Sequence, residues 1–118
     1  MARRAVAFQP WRVERRDYLQ RLIEQFADAV ARILRLKTEQ PAEAVREADG
    51  ALARLTGLPL SMLLKLGSPG VASLLGAEKT KVALPLLEAT AQALEASSRN
   101  DEAERVRRLV SDLRHRTA

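Results

Sequence analysis

Tyr18, Arg21, Glu24 and Gln25 place a phenol, a guanidinium, a carboxylate and a carboxamide at helical steps along one short stretch. On a helix such a set shares one side and offers hydrogen-bond donors and acceptors for recognition. Acid–base catalysis asks for more, since a lone carboxylate needs a second acid or a histidine within reach. None accompanies Glu24, so the plainer reading of these four residues is a solvated or internally paired helix surface. Ser61, Ser68 and Ser73 would be nucleophiles only beside a base. The single histidine, His115, is distant in sequence from all three. Gly67-Ser68-Pro69-Gly70 lacks the Lys-Ser/Thr pair of a phosphate loop and follows no strand, so it reads as a turn. The absence of cysteine excludes disulfides and thiolate metal sites, and one histidine cannot build a histidine-rich one. No catalytic residue, cofactor site or metal site is therefore assigned, and the chain is read as a non-enzyme.

Two groups of residues remain as candidate interaction surfaces. The first is Trp11, Arg12, Arg15 and Arg16 together with Tyr18, Arg21 and Gln25. Trp11 is the only tryptophan, and an aromatic among arginines can stack on a base or sit at a lipid surface. It can equally staple the N-terminal arm to the helices, which is the favoured reading. The second group is Leu60, Leu63 and Leu64, in a segment so rich in leucine that a small domain is not expected to cover it all. These three also fit an LxxLL spacing, which a leucine-rich core produces by itself.

Charge adds a further expectation. The formal net charge is +5, with +4 in residues 1–16, +4 in residues 105–118 and −3 between them. Basic ends attract nucleic acid or anionic lipid, although the blander reading is that they are simply solvated. Pairs at i,i+4 support the blander one: Asp101–Arg105, Glu104–Arg108 and Asp112–Arg116 neutralise three of the C-terminal arginines along their own helix. Asp17–Arg21 and Asp28–Arg32 stand at the same spacing upstream.

These residues must be positioned by helices. With 118 residues, 47% hydrophobic and only 3% aromatic, the chain has one aliphatic core rich in Ala and Leu. The expected architecture is all-α, with irregular antiparallel helical hairpins, a long first helix and two short helices in the 58–76 connection. Residues 1–10 form a loose basic arm and residues 11–118 a single helical domain. Helix 1 is expected over about 11–37, with Asp17 as an alternative capped start. Leu19, Leu22, Ile23, Phe26, Val30 and Ile33 form its apolar stripe. Pro41 opens helix 2, which runs over 41–56 with Ala44, Val45, Ala48, Leu52 and Leu55 inward. Gly50 within it marks either a close helix approach or a tolerated glycine.

The connection is punctuated by Gly57, Gly67, Gly70 and Gly76, which suits short helices over 60–66 and 69–75. The next helix, 79–97, turns Val82, Leu86, Leu87, Thr90, Ala93 and Leu94 to one side. Pro85 either starts it near Leu84 or kinks it. A last helix over 101–116 buries Ala103, Val106, Leu109, Val110 and Leu113.

Gln40-Pro41-Ala42-Glu43-Ala44-Val45-Arg46-Glu47-Ala48 and Arg99-Asn100-Asp101-Glu102-Ala103-Glu104-Arg105-Val106-Arg107 share a polar turn, acidic residues and then a small Ala. This resembles the second-helix entry of a tetratricopeptide repeat. The chain departs from that repeat in lacking Trp-x-x-Leu-Gly and in its longer hairpin spacing. From Arg16 onward it more closely resembles an uncharacterised bacterial family opening with Arg-Asp-Tyr-x-x-Arg-x-Ile-Glu-Gln, read here as Arg16 to Gln25. Leu36-Lys37 matches that family's helix end. The resemblance implies tetratricopeptide-like hairpins, and the family being of unknown function, it supplies no activity to expect.

The functional expectation is a helical protein–protein interaction module that self-associates as a homo-oligomer. Nucleic-acid or anionic-surface binding through the Arg-rich ends is the alternative. The N-terminus lacks the apolar run of a secretory signal, and no apolar run approaches the roughly 20 residues of a membrane span. A cytoplasmic bacterial protein without a transmembrane segment is the matching expectation.

Overall fold

The structure, a computed structural model, describes the backbone of residues 10–117 and the side chains of residues 17–116. The expected basic arm lies outside the described residues apart from Pro10, which is the first residue of a helix. Four helices follow in order: α1 (Pro10–Glu39), α2 (Pro41–Thr56), α3 (Leu60–Ala96) and α4 (Asn100–Thr117). No strand occurs among the described residues, and the fold is all-α.

Pro41 separates α1 from α2 with a single residue, because the residue before a proline is driven out of helical backbone. Gln40 accordingly sits at φ −135° and ψ 69°. Its N–H donates to Leu36 O at 2.7 Å and its carbonyl accepts the Ala44 N–H at 2.9 Å, so both helix ends stay bonded across the break. α2 then lays Ala44, Ala48, Ala51, Leu52 and Leu55 into the core. Gly57 N–H bonds Ala53 O at 2.8 Å and closes the helix.

α3 touches each of the other three helices, while among the described residues α4 packs on α3 alone. It is one element with two breaks. Gly67 (φ 70°, ψ 179°) and Gly76 (φ 77°, ψ 170°) occupy backbone that only glycine adopts readily. They delimit the two short pieces expected over 60–66 and 69–75. At the second break the Gly76 carbonyl accepts the Thr80 hydroxyl at 2.6 Å, and this bond satisfies the buried threonine. Pro85 neither starts nor breaks the helix, since the backbone departs from helical values only at the two glycines. Pro85 has no N–H to offer the Lys81 carbonyl, and both residues are exposed.

Ile33, Leu52, Leu63, Leu86, Leu87, Leu94 and Leu113 are the largest wholly buried aliphatic side chains. Burying each stabilises the fold by about 1.5–3 kcal/mol before entropy is counted. The stripes expected on the 79–97 and 101–116 helices are all buried. On α1 the outcome differs. Phe26 and Ile33 are buried, Leu19, Leu22 and Val30 are half-covered, and Ile23 is 51% exposed. Helical period puts these residues on one broad side, with Phe26, Ala29 and Ile33 at its covered middle, Leu22 and Val30 packed against the core in part, and Ile23 at its open edge.

α3 is also the one helix, among the described residues, long and apolar enough to cross a membrane by length and composition.

Candidate functional site

The uncovered part of the α1 stripe forms one wall of a groove. Leu19, Ile23, Phe26 and Val30 line it from α1, with Ala27 beside them. Val82 and Pro85 line it from α3, and Glu78 and Lys81 stand at its rim. The groove holds about 500 Å³. Its α1 residues recur at steps of four, three and four, the spacing of a coiled-coil seam. At the other end α1 is tied to α3 by Lys37 Nζ donating to Gln92 Oε1 at 2.6 Å.

A second concavity lies between α3 and α4, at about 380 Å³, lined by Ser61, Lys65, Ser68, Arg105, Arg108 and Asp112 among others. Ser68 is buried at 9% exposure, and its hydroxyl accepts Arg116 Nε at 3.0 Å. His115 directs Nδ1 to the Ser111 carbonyl of its own helix at 2.9 Å. Among the described residues no group of three or more His, Asp or Glu is placed to hold a metal ion.

Charged side chains bridge helices where the sequence pattern placed them along helices. Arg32 reaches Glu47 on α2 at 3.5 Å instead of Asp28. Arg107 grips Glu95 on α3 through two bonds of 3.0 and 3.1 Å, and Arg114 pairs with Glu88. Arg116 turns to Ser68 rather than Asp112. None of the five expected i,i+4 pairs is found among the described residues. In each bridging case the partner lies on a neighbouring helix, and sequence spacing says nothing of it.

These bonds also set the electrostatics. The Arg107 guanidinium holds the Glu95 carboxyl below its usual range through its hydrogen bond and its charge. Arg99 does the same to Glu102 by hydrogen bonding, opposed in part by burial. Both carboxylates are therefore ionised ion-pair partners and not proton donors.

The candidate residues from the sequence separate. Trp11, Arg12, Arg15 and Arg16 have side chains outside the described residues. Tyr18 is 47% exposed, and Arg21 and Gln25 are exposed beside it. By helical geometry those three stand on the far side of α1 from the groove. Leu60 and Leu63 require correction as interaction residues: they are core, at 7% and 1% exposure, and Leu64 is half-buried against it. The apolar residues that the same segment leaves exposed are Met62, Leu66 and Leu74. Ile23 was legible as an apolar residue, but only the covering of its neighbours shows it to be an open one.

Comparison of the chain with protein-family models, with curated proteins and with solved structures finds no match.

Proposed function

We propose that the chain is a non-enzymatic helical interaction module that self-associates through the α1–α3 groove, with α1 of a second copy as the occupant. The observation that carries this reading is Ile23, half exposed at the centre of a seam whose other members are partly or wholly covered. A second copy presents the same Leu19–Ile23–Phe26–Val30 seam, with Ala27 small enough to let the helices approach. An isologous pairing of this kind covers both seams at once. The two helices run antiparallel, because the α2–α3 body already occupies the C-terminal end of each α1.

Two features support the second copy over a foreign helix. The α1 wall of the groove is apolar throughout, so two copies bring apolar side chains together, with Glu78 and Lys81 on the α3 wall. The polar residues Arg21, Glu24 and Gln25 lie away from it, so pairing desolvates no charge on them. We read α3 as a helix of the bundle rather than a membrane span, since it is broken at two glycines and touches each of the other helices.

Light scattering over a concentration series tests the proposal. A dimer that dissociates on Ile23→Glu supports it. A dimer indifferent to Ile23→Glu, or a monomer throughout, refutes it.

A further inference from the structure

The first part of α3 carries more apolar surface than the core accepts: in its most apolar window of 18 residues, only 28% is buried. Met62, Leu66 and Leu74 keep 41%, 42% and 47% of their surface exposed. Met62 and Leu66 stand four apart on the piece before the Gly67 break, and Gly70 and Leu74 four apart on the piece after it. A Cβ added to Gly70 would lie 2.9 Å from the Leu66 Cβ, so Leu66 lies directly over that glycine. Met62, Leu66, Gly70 and Leu74 thus make an aliphatic ridge.

A cationic margin adjoins it. Lys65, next to Leu66 in the chain, lines the α3–α4 cleft with Arg105 and Arg108. None of these three cations has an ion pair among the described residues. Two carboxylates also line the cleft, Glu102 and Asp112. Glu102 is already bonded to Arg99 at 2.6 and 2.9 Å.

We infer that this ridge and its margin form a docking face for an anionic lipid bilayer. Met62, Leu66 and Leu74 enter the boundary between headgroups and acyl chains, and Lys65, Arg105 and Arg108 meet lipid phosphates. Aliphatic side chains beside cations of one sign are the arrangement an interfacial helix uses. Nucleic acid fits the face less well. Single strands stack on aromatic rings, and no Phe, Trp or Tyr lies in residues 58–118. Duplex binding gains nothing from an exposed aliphatic ridge.

The test is co-sedimentation of the full chain with vesicles of phosphatidylcholine alone or mixed equally with phosphatidylglycerol. Binding is expected only to the anionic vesicles, falling about tenfold as salt rises severalfold. Leu66→Glu and Arg105→Glu/Arg108→Glu should each lower it about tenfold with unchanged helical circular dichroism. Leu74→Gln is the milder ridge variant if Leu66→Glu disturbs the fold. Three results would overturn the inference: no binding to anionic vesicles, equal binding to neutral ones, or binding that both ridge variants leave intact. Duplex DNA binding tighter than vesicle binding, and untouched by Leu66→Glu, would do so in favour of a nucleic-acid partner.

Discussion

The Asp49 carboxylate of α2 accepts the Leu60 backbone N–H of α3 at 3.0 Å. The N-terminus of the central helix is therefore capped by a side chain eleven residues upstream. Pro59, at the capping position itself, has no side-chain oxygen to offer. One bond thus satisfies an otherwise open donor and fixes the turn between α2 and α3.

Asp49→Ala should lower the free energy of unfolding by about 1 kcal/mol, and Asp49→Asn by much less, because an amide oxygen still accepts the bond. Urea denaturation at neutral pH measures both. Equal losses from the two variants would assign the effect to charge rather than to capping.

Gly50 invites the opposite change. An added Cβ there meets only Arg54 Nη1, at 3.8 Å, so no close helix approach requires the glycine. Gly50→Ala should raise stability by about 0.5–1 kcal/mol. Gly67→Ala should lower it by about 1–3 kcal/mol, since its φ of 70° is strained for any other residue whatever the space around it. Thermal melts of the two variants check the opposed signs.

Much of this fold is legible in the chain because its signals are local. Pro41 and Gly57 bound α2, Gly67 and Gly76 break α3, and period alone picks out buried Val82, Leu86, Leu94, Val106 and Leu113. The rest depends on what lies across a gap. Period places Ile23 on the same broad side as Phe26, yet it cannot say where across that side the cover of α2 and α3 ends. It marks Leu60 and Leu63 as apolar without saying that they are core while Met62 and Leu66 face out. Asp49 as a cap and Glu95 as a partner of Arg107 join residues on different helices, and no local spacing encodes either.

Acid should weaken the fold in part through Glu95 and Glu102. Both carboxyls have depressed pKa values in the folded state, chiefly from bonds to Arg107 and Arg99. The stability they contribute is fully present above the unfolded value of about 4.3 and is lost as pH falls through the folded values. Melting temperature should therefore drop from neutral pH into the acid range, and Glu95→Gln/Glu102→Gln should flatten that drop. High salt should shrink the difference, because both pairs are near the surface.

Ile33→Ala and Ile23→Ala separate stability from association. Ile33 is wholly buried, so its truncation should cost about 2–5 kcal/mol in urea melts. Ile23→Ala should leave the stability of the isolated chain within about 0.5 kcal/mol. Its effect should appear in assembly instead.

Sedimentation velocity of the wild-type chain and of Ile23→Glu, over the concentrations at which modest interfaces form, decides whether the α1–α3 groove is a dimer interface. Self-association through the α1–α3 groove predicts that the wild type passes from monomer to dimer as concentration rises. Ile23→Glu should remain monomeric throughout, with unchanged helicity. A wild-type chain that stays monomeric across the range, or an Ile23→Glu chain that dimerises as the wild type does, would contradict it.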